Sequence, residues 1–145
     1  MNTIVPLISS GVSGPLGVLH LPRLWLKASL EARGKLAPGY PGAGKGYDQM
    51  VIDALGLNRE SVLAFIKNSR PTYPQFEAWI KSQPGVKIDK GTIDKLNASI
   101  TGYIHDDATR RAILSANGLP DGSPRDAINL NNLDDWKEFH EAELK

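Results

Sequence analysis

Beyond residue 20 the apolar positions recur every three or four residues, the spacing of a helix face, and nowhere alternate long enough to build a sheet. Leu21, Leu24, Trp25, Ala28 and Ala32 trace the first such face. Pro22 suits its first turn, where a missing N–H costs nothing, and Gly34 is a natural stop. A glycine- and proline-rich connection, residues 36–46, follows. Asp48 is then placed to cap a short helix through Leu55, which Gly56 closes. Asn58 heads a third helix with Val62, Phe65 and Ile66 inward. Thr72 and Gln75 have the spacing of a capping box ahead of Phe76, Trp79 and Ile80.

After a turn at Gln83-Pro-Gly85, Asp89 or Thr92 begins a helix carrying Ile93, Leu96, Ile100 and Ile104. Asp106 or Asp107 begins the next, which ends at Asn117-Gly118. Asn131 or Asn132 caps a last amphipathic helix whose Leu133, Trp136, Phe139 and His140 share a face. The pattern predicts one all-α domain over residues 1–145, with a helical core from residue 20 built of about six or seven short helices. The glycine/proline-rich loop lies between the first two. Residues 1–19 carry no charged side chain and read as a loop lying on the domain. Pro6, Gly11, Gly14, Pro15 and Gly17 interrupt them too often for a secretory core or a spanning helix. No membrane partner is expected, and the default location is cytoplasmic.

At 145 residues the chain is long enough to bury a core without a metal or disulfide staple. It has no cysteine, which excludes disulfides, thiolate nucleophiles and iron–sulfur clusters. A net charge of +1 steers it toward neither nucleic acid nor membrane. The charge is unevenly spread. Residues 1–50 hold five basic and two acidic side chains, whereas residues 121–145 hold three basic and seven acidic ones. The simplest expectation is that the two ends sit side by side and neutralise each other.

Gly39-Tyr-Pro-Gly-Ala-Gly44-Lys45-Gly46 has the outline of a phosphate-binding loop, but Gly46 stands where the magnesium-binding hydroxyl belongs. The run also follows a helix rather than a strand. It reads as a flexible loop whose Lys45 and amides can meet an anion. His20, His105 and His140 are too dispersed for a metal site. His140 reads as a core residue, and His20, directly before the first helix, as a candidate acid or base. Arg23 and Lys27, four apart, share one side of that helix. They form either a solvated or ion-paired face, or a carboxylate- or phosphate-binding pair of planar fork and point charge. The tryptophans fall on apolar stripes. Asn97, between Ile93, Leu96 and Ile100, is surface-facing or a buried hydrogen-bonding element.

Gly14-Pro-Leu-Gly17, Leu21-Pro-Arg23 and Lys27-Ala28 resemble the opening of a bacterial family known as domain of unknown function 5069. There a Leu-Gly-Gly turn leads to Leu-Pro-Arg and then Lys-Ala. Tyr40, Tyr47-Asp48, Leu55-Gly56-Leu57, Ala78-Trp79-Ile80, Ile93 with Asn97, and the run from Ile128 to Asp135 extend the similarity over most of the chain from residue 11. Pro15-Leu16 interrupts the family's paired glycines, and its Cys-Pro-Leu-Asp run is replaced by Gly44-Lys-Gly-Tyr-Asp48, without the thiol. The resemblance implies a small helical protein with no established activity, and it places Arg23, Lys27 and Asp48 in the family's pattern.

These readings converge on a pocket between the start of the first helix and the loop before the second. The expected function is that of a small enzyme without a cofactor, acting on an anionic or carbonyl-bearing metabolite. Arg23 and Lys27 would hold the substrate, with Asp48 orienting Arg23 or exchanging a proton. His20 is the further acid or base. Tyr40, Lys45, Tyr47, Trp79 and Asn97 are the expected ligand-binding residues. The alternative is a metabolite-sensing or protein-interaction domain in which the same charges form a structural network. Closure distinguishes the two, since a network is fully paired and a site leaves donors facing a cleft.

Overall fold

A computed structural model describes residues 2–145. Helix α1, Leu21–Ala32, buries Leu21, Leu24 and Ala28 and packs on α3, α4 and α2. Helix α2 spans Tyr47–Ala54, α3 Arg59–Ser69, α4 Tyr73–Lys81 and α5 Lys90–Thr101. Helix α6, Asp107–Ala116, and α7, Ala127–Phe139, complete the set, and α7 runs into a wider π-helical turn at His140–Leu144. Among the described residues β structure is confined to three isolated bridges. The architecture is all-α, a single domain around Val18, Leu24, Ile52, Ile66, Phe76 and Ile100. Among the described residues no helix is long and apolar enough to cross a membrane.

Local chemistry sets most boundaries where the polar pattern places them. Asn58 accepts from Ser61 N–H, Thr72 and Gln75 form the reciprocal capping box, and Asp89 and Asp106 head α5 and α6. Three boundaries differ. Helix α5 ends at Thr101, so Ile104 falls beyond it, 62% exposed and bridged to Asp126. Asp48 is no cap: α2 begins at Tyr47, and the Asp48 carboxylate turns inward. Helix α7 starts under Asp126, several residues before Asn131, and its buried positions are Ala127, Leu130 and Asp135. The expected inward face is only partly covered: Leu133 and Phe139 are half-buried, whereas His140 is exposed and Trp136 is 60% exposed beside Leu7 and Val12. The helix instead turns Ala127, Leu130 and Asp135 inward, and the buried Arg23 cation offsets the desolvation of Asp135.

Residues 2–19 form a strap held by side chains from the helices. Ile4 bridges to the segment after α1 through Lys35 and Ala37. Arg23 donates to the carbonyls of Pro6 and Ile8, and Glu77 accepts from Leu16 N–H. Asn97 accepts from Leu19 N–H and donates to Gly17 O. Two glycines are sterically required. A Cβ on Gly14 would stand 2.3 Å from the Tyr73 ring and 2.6 Å from the Glu77 carboxylate. Gly17 has a φ of +84°, a conformation L-residues rarely adopt.

Candidate functional site

A cavity of about 360 Å3 opens between the start of α1, the loop 39–46 and the first two turns of α7. Its floor is built on α1. His20, the residue before that helix, has a left-handed φ of 69°, uncommon for a residue with a side chain and tolerated better by His than by most. This conformation ends the strap, lets His20 N–H donate to Val12 O, and brings the imidazole inward. One and two turns of helix then separate His20 from Arg23 and Lys27, so all three reach the cavity.

Asp48 joins the loop to this floor. Its Oδ1 lies 2.6 Å from His20 Nε2, and its Oδ2 accepts from Lys27 Nζ at 2.6 Å and from Gly44 N–H at 2.7 Å. Burial by itself would raise the carboxyl, but the His20 hydrogen bond and the Lys27 charge outweigh it and hold Asp48 well below the usual carboxylate range. Burial lowers His20 beneath its ordinary value, although Asp48 pulls the other way. A neutral imidazole facing a carboxylate carries its proton on Nε2, so Nδ1 accepts from Ser10 O–H at 2.9 Å. Ser10, His20 and Asp48 thus form a line of hydrogen bonds. The line is not that of a serine nucleophile, because Ser10 is 1% exposed and stands outside the cavity wall.

Arg23 belongs to a second pair. Its Nη1 and Nη2 meet Asp135 Oδ2 and Oδ1 at 2.6 and 3.1 Å, and Nη1 also holds the strap carbonyls. Tyr40 O–H donates to Asp135 Oδ1 at 2.9 Å. Burial and the Asp135 charge push that phenol far above its ordinary value. The expected orientation of Arg23 by Asp48 is therefore replaced by Asp135, a residue 112 positions away. The pair also joins the basic start of the chain to its acidic end.

Tyr47, Tyr103 and His105 form one side of the cavity. The Tyr47 ring lies 5.2 Å from that of His20 and 5.5 Å from that of Tyr103, and Tyr103 lies 6.1 Å from His105. The Tyr47 hydroxyl is turned away to Ile100 O, and burial pushes it up to about 12. His105 Nε2 is 3.0 Å from Asn131 Oδ1. Lys45 and Asp134 complete the lining, and neither has a hydrogen-bond or ion-pair partner among the described residues. Burial first, then Glu138 and Asp135, raise the Asp134 carboxyl above its ordinary value.

The glycine loop is not a phosphate cradle. Gly44 N–H is given to Asp48 and Gly42 N–H to Glu31 Oε2, so carboxylates of the chain already occupy two of its glycine amides. Arg59 grips the other side of the loop through the carbonyls of Ala43 and Gly44. No three His, Asp or Glu side chains converge on a metal-sized gap among the described residues.

The cavity thus gathers His20, Arg23, Lys27, Tyr40, Lys45, Tyr47 and Asp48. Two expected ligand-binding residues lie elsewhere. Trp79 stacks on Phe65 at 4.7 Å and faces Phe76, half-buried against the hydrophobic core and away from the cavity. Asn97 grips the strap, resolving its open reading as a hydrogen-bonding element. Ser10, Tyr103, His105, Asn131, Asp134 and Asp135 are not among the expected site residues; the acidic surplus at the end of the chain and the run from Ile128 to Asp135 are the signals that point to the two aspartates. No family model matches the chain, and no curated protein matches it.

Proposed function

We propose that the chain binds a small metabolite in this cavity through a carboxylate, phosphate or carbonyl oxygen, with Lys27 as the anchoring donor. The observation that carries the reading is the state of that ammonium. Lys27 is 6% exposed, lies on the cavity wall and has three N–H donors, of which the protein uses one, toward Asp48. A buried donor left unmade is costly, and a ligand oxygen satisfies it. The volume is at the small end of the roughly 300–1,000 Å3 typical of ligand pockets, and the tyrosine wall supplies apolar contact. Turnover is not part of the proposal. His20 and Asp48 spend their polar atoms on protein partners, and Arg23 spends Nη1 and Nη2 on Asp135 and the strap carbonyls, which favours a positioning role for them.

A thermal-shift screen of carboxylates, phosphates and carbonyl compounds tests this against wild type, Lys27→Met and Asn131→Trp, which adds bulk to the cavity wall. A ligand at a hundredfold excess over Kd adds about 2.7 kcal/mol of apparent stability. We expect compounds that stabilise wild type and lose that effect in both variants while each variant still unfolds cooperatively. A screen without hits, or hits indifferent to both substitutions, overturns the reading. The polar floor is then wholly structural.

A further inference from the structure

The charges on the cavity wall balance. Arg23, Lys27 and Lys45 face Asp48, Asp134 and Asp135, so the field inside does not select a simple anion. Four of these six are already matched, Lys27 with Asp48 and Arg23 with Asp135, each at 2.6 Å. The remaining two, Lys45 and Asp134, are opposite in sign and share the cavity. Yet they pair neither with each other nor with any other described residue. Lys45 is exposed on a loop, whereas Asp134 is half-buried on a helix beside Asp135, where an unmatched carboxylate is costly. A ligand bearing only negative charge would reach Lys27 and Lys45 and leave Asp134 facing it.

From this arrangement we infer that the cavity takes a zwitterion, a small amino acid or other amino-carboxylate. Its carboxylate meets the spare N–H groups of Lys27 and the Lys45 ammonium, and its ammonium meets Asp134. The inference rests on the ligand-binding reading above and narrows it to one chemical class. It also gives Asp134 a purpose that the fold does not, since no helix, cap or strap contact uses that side chain. Burial and the neighbouring acids disfavour its charged form, and a bound ammonium removes that penalty.

Calorimetric titration at pH 7 distinguishes the possibilities with a matched trio: 5-aminopentanoate, pentanoate and pentylamine. The twenty protein amino acids and inorganic phosphate extend the set. Wild type is compared with Asp134→Asn, Lys45→Gln and Lys27→Met. We expect at least one amino-carboxylate to bind wild type tenfold or more tightly than its deaminated counterpart. Asp134→Asn is expected to erase that difference, while pentanoate binds the variant at least as tightly as it binds wild type. The Asp134 carboxylate makes no hydrogen bond or ion pair among the described residues that the amide would break, so the variant is expected to fold, and its melting curve checks this. If pentanoate or phosphate binds as tightly as every amino acid, or if Asp134→Asn leaves amino-acid binding unchanged, the zwitterion inference is overturned and the cavity reading stands. If nothing in the set binds, both fall.

Discussion

Arg23 and Lys27 stand one turn apart on α1, both buried and both 2.6 Å from a carboxylate, yet the two ends of the cavity floor differ. Around Arg23 every acceptor is protein: Asp135 and the carbonyls of Pro6 and Ile8, with Tyr40 closing the carboxylate from the other side. Around Lys27 the acceptor is Asp48, which His20 and Gly44 N–H already share. Two cations at anion-binding spacing thus become one fastener and one partly open donor. The deciding feature is the number of acceptors around each cation: Nη1 and Nη2 of Arg23 make four hydrogen bonds to the protein, whereas Lys27 Nζ makes one.

The largest effect that separates the ends is on folding. Arg23→Ala leaves Asp135 buried without a cation and frees two strap carbonyls, so we expect a loss of about 3–5 kcal/mol in urea unfolding. Protease cleavage within residues 2–19 should accompany it. Lys27→Met is expected to cost less, about 2 kcal/mol, because Asp48 keeps two hydrogen bonds. Equal losses at the two positions would erase the distinction between fastener and open donor.

Acid should act on the Lys27 end. His20 and Asp48 both bind their protons less readily in the folded protein than in the unfolded chain. For such groups the unfolded state takes up more protons as pH falls, so stability present at higher pH is lost on acidification. The His20 contribution is complete above its unfolded value near 6.5 and declines below it, and the Asp48 contribution declines below about pH 4. We expect His20→Asn to flatten the first part of a stability profile taken from pH 8 to pH 3, and Asp48→Asn the second. A profile unchanged by either substitution would contradict the proton assignments.

Smaller effects sharpen the comparison further. Asn97→Ala removes two hydrogen bonds to the strap and should cost about 1–2 kcal/mol without altering ligand binding. Asp134→Asn should have the opposite sign. Its carboxyl resists ionisation in the fold, so the group destabilises the protein as pH rises past the ordinary aspartate range. With half of the side chain solvated and screened, the gain at pH 7 is a few tenths of a kcal/mol, read as a small rise in Tm.

Helix number and most caps were legible because they depend on short-range chemistry: a side-chain oxygen and an N–H three residues on, as at Asn58, Thr72, Asp89 and Asp106. The floor residues on α1 and Asp48 were legible for the same reason, since helical spacing and proximity in the chain bring them together. Helix α7 was misread because its packing is decided by Arg23, more than a hundred residues away, and hydrophobic periodicity has no term for a matched charge. The same long-range pairing hid Asp135 and Asp134. Trp79 and Asn97 show the reverse error, in which side chains suited to a pocket are used by the core and the strap.

The most direct measurement is a spectrum of 15N-labelled lysine ammonium and arginine guanidinium groups, recorded while the tightest compound from the screen is titrated in. We expect the Lys27 resonance, slowed in exchange by burial, to shift saturably with the ligand while the Arg23 resonances stay in place. A saturable ligand that moves Arg23 and leaves Lys27 untouched, or moves neither, would contradict the division of the cavity floor into a fastened end and an open one.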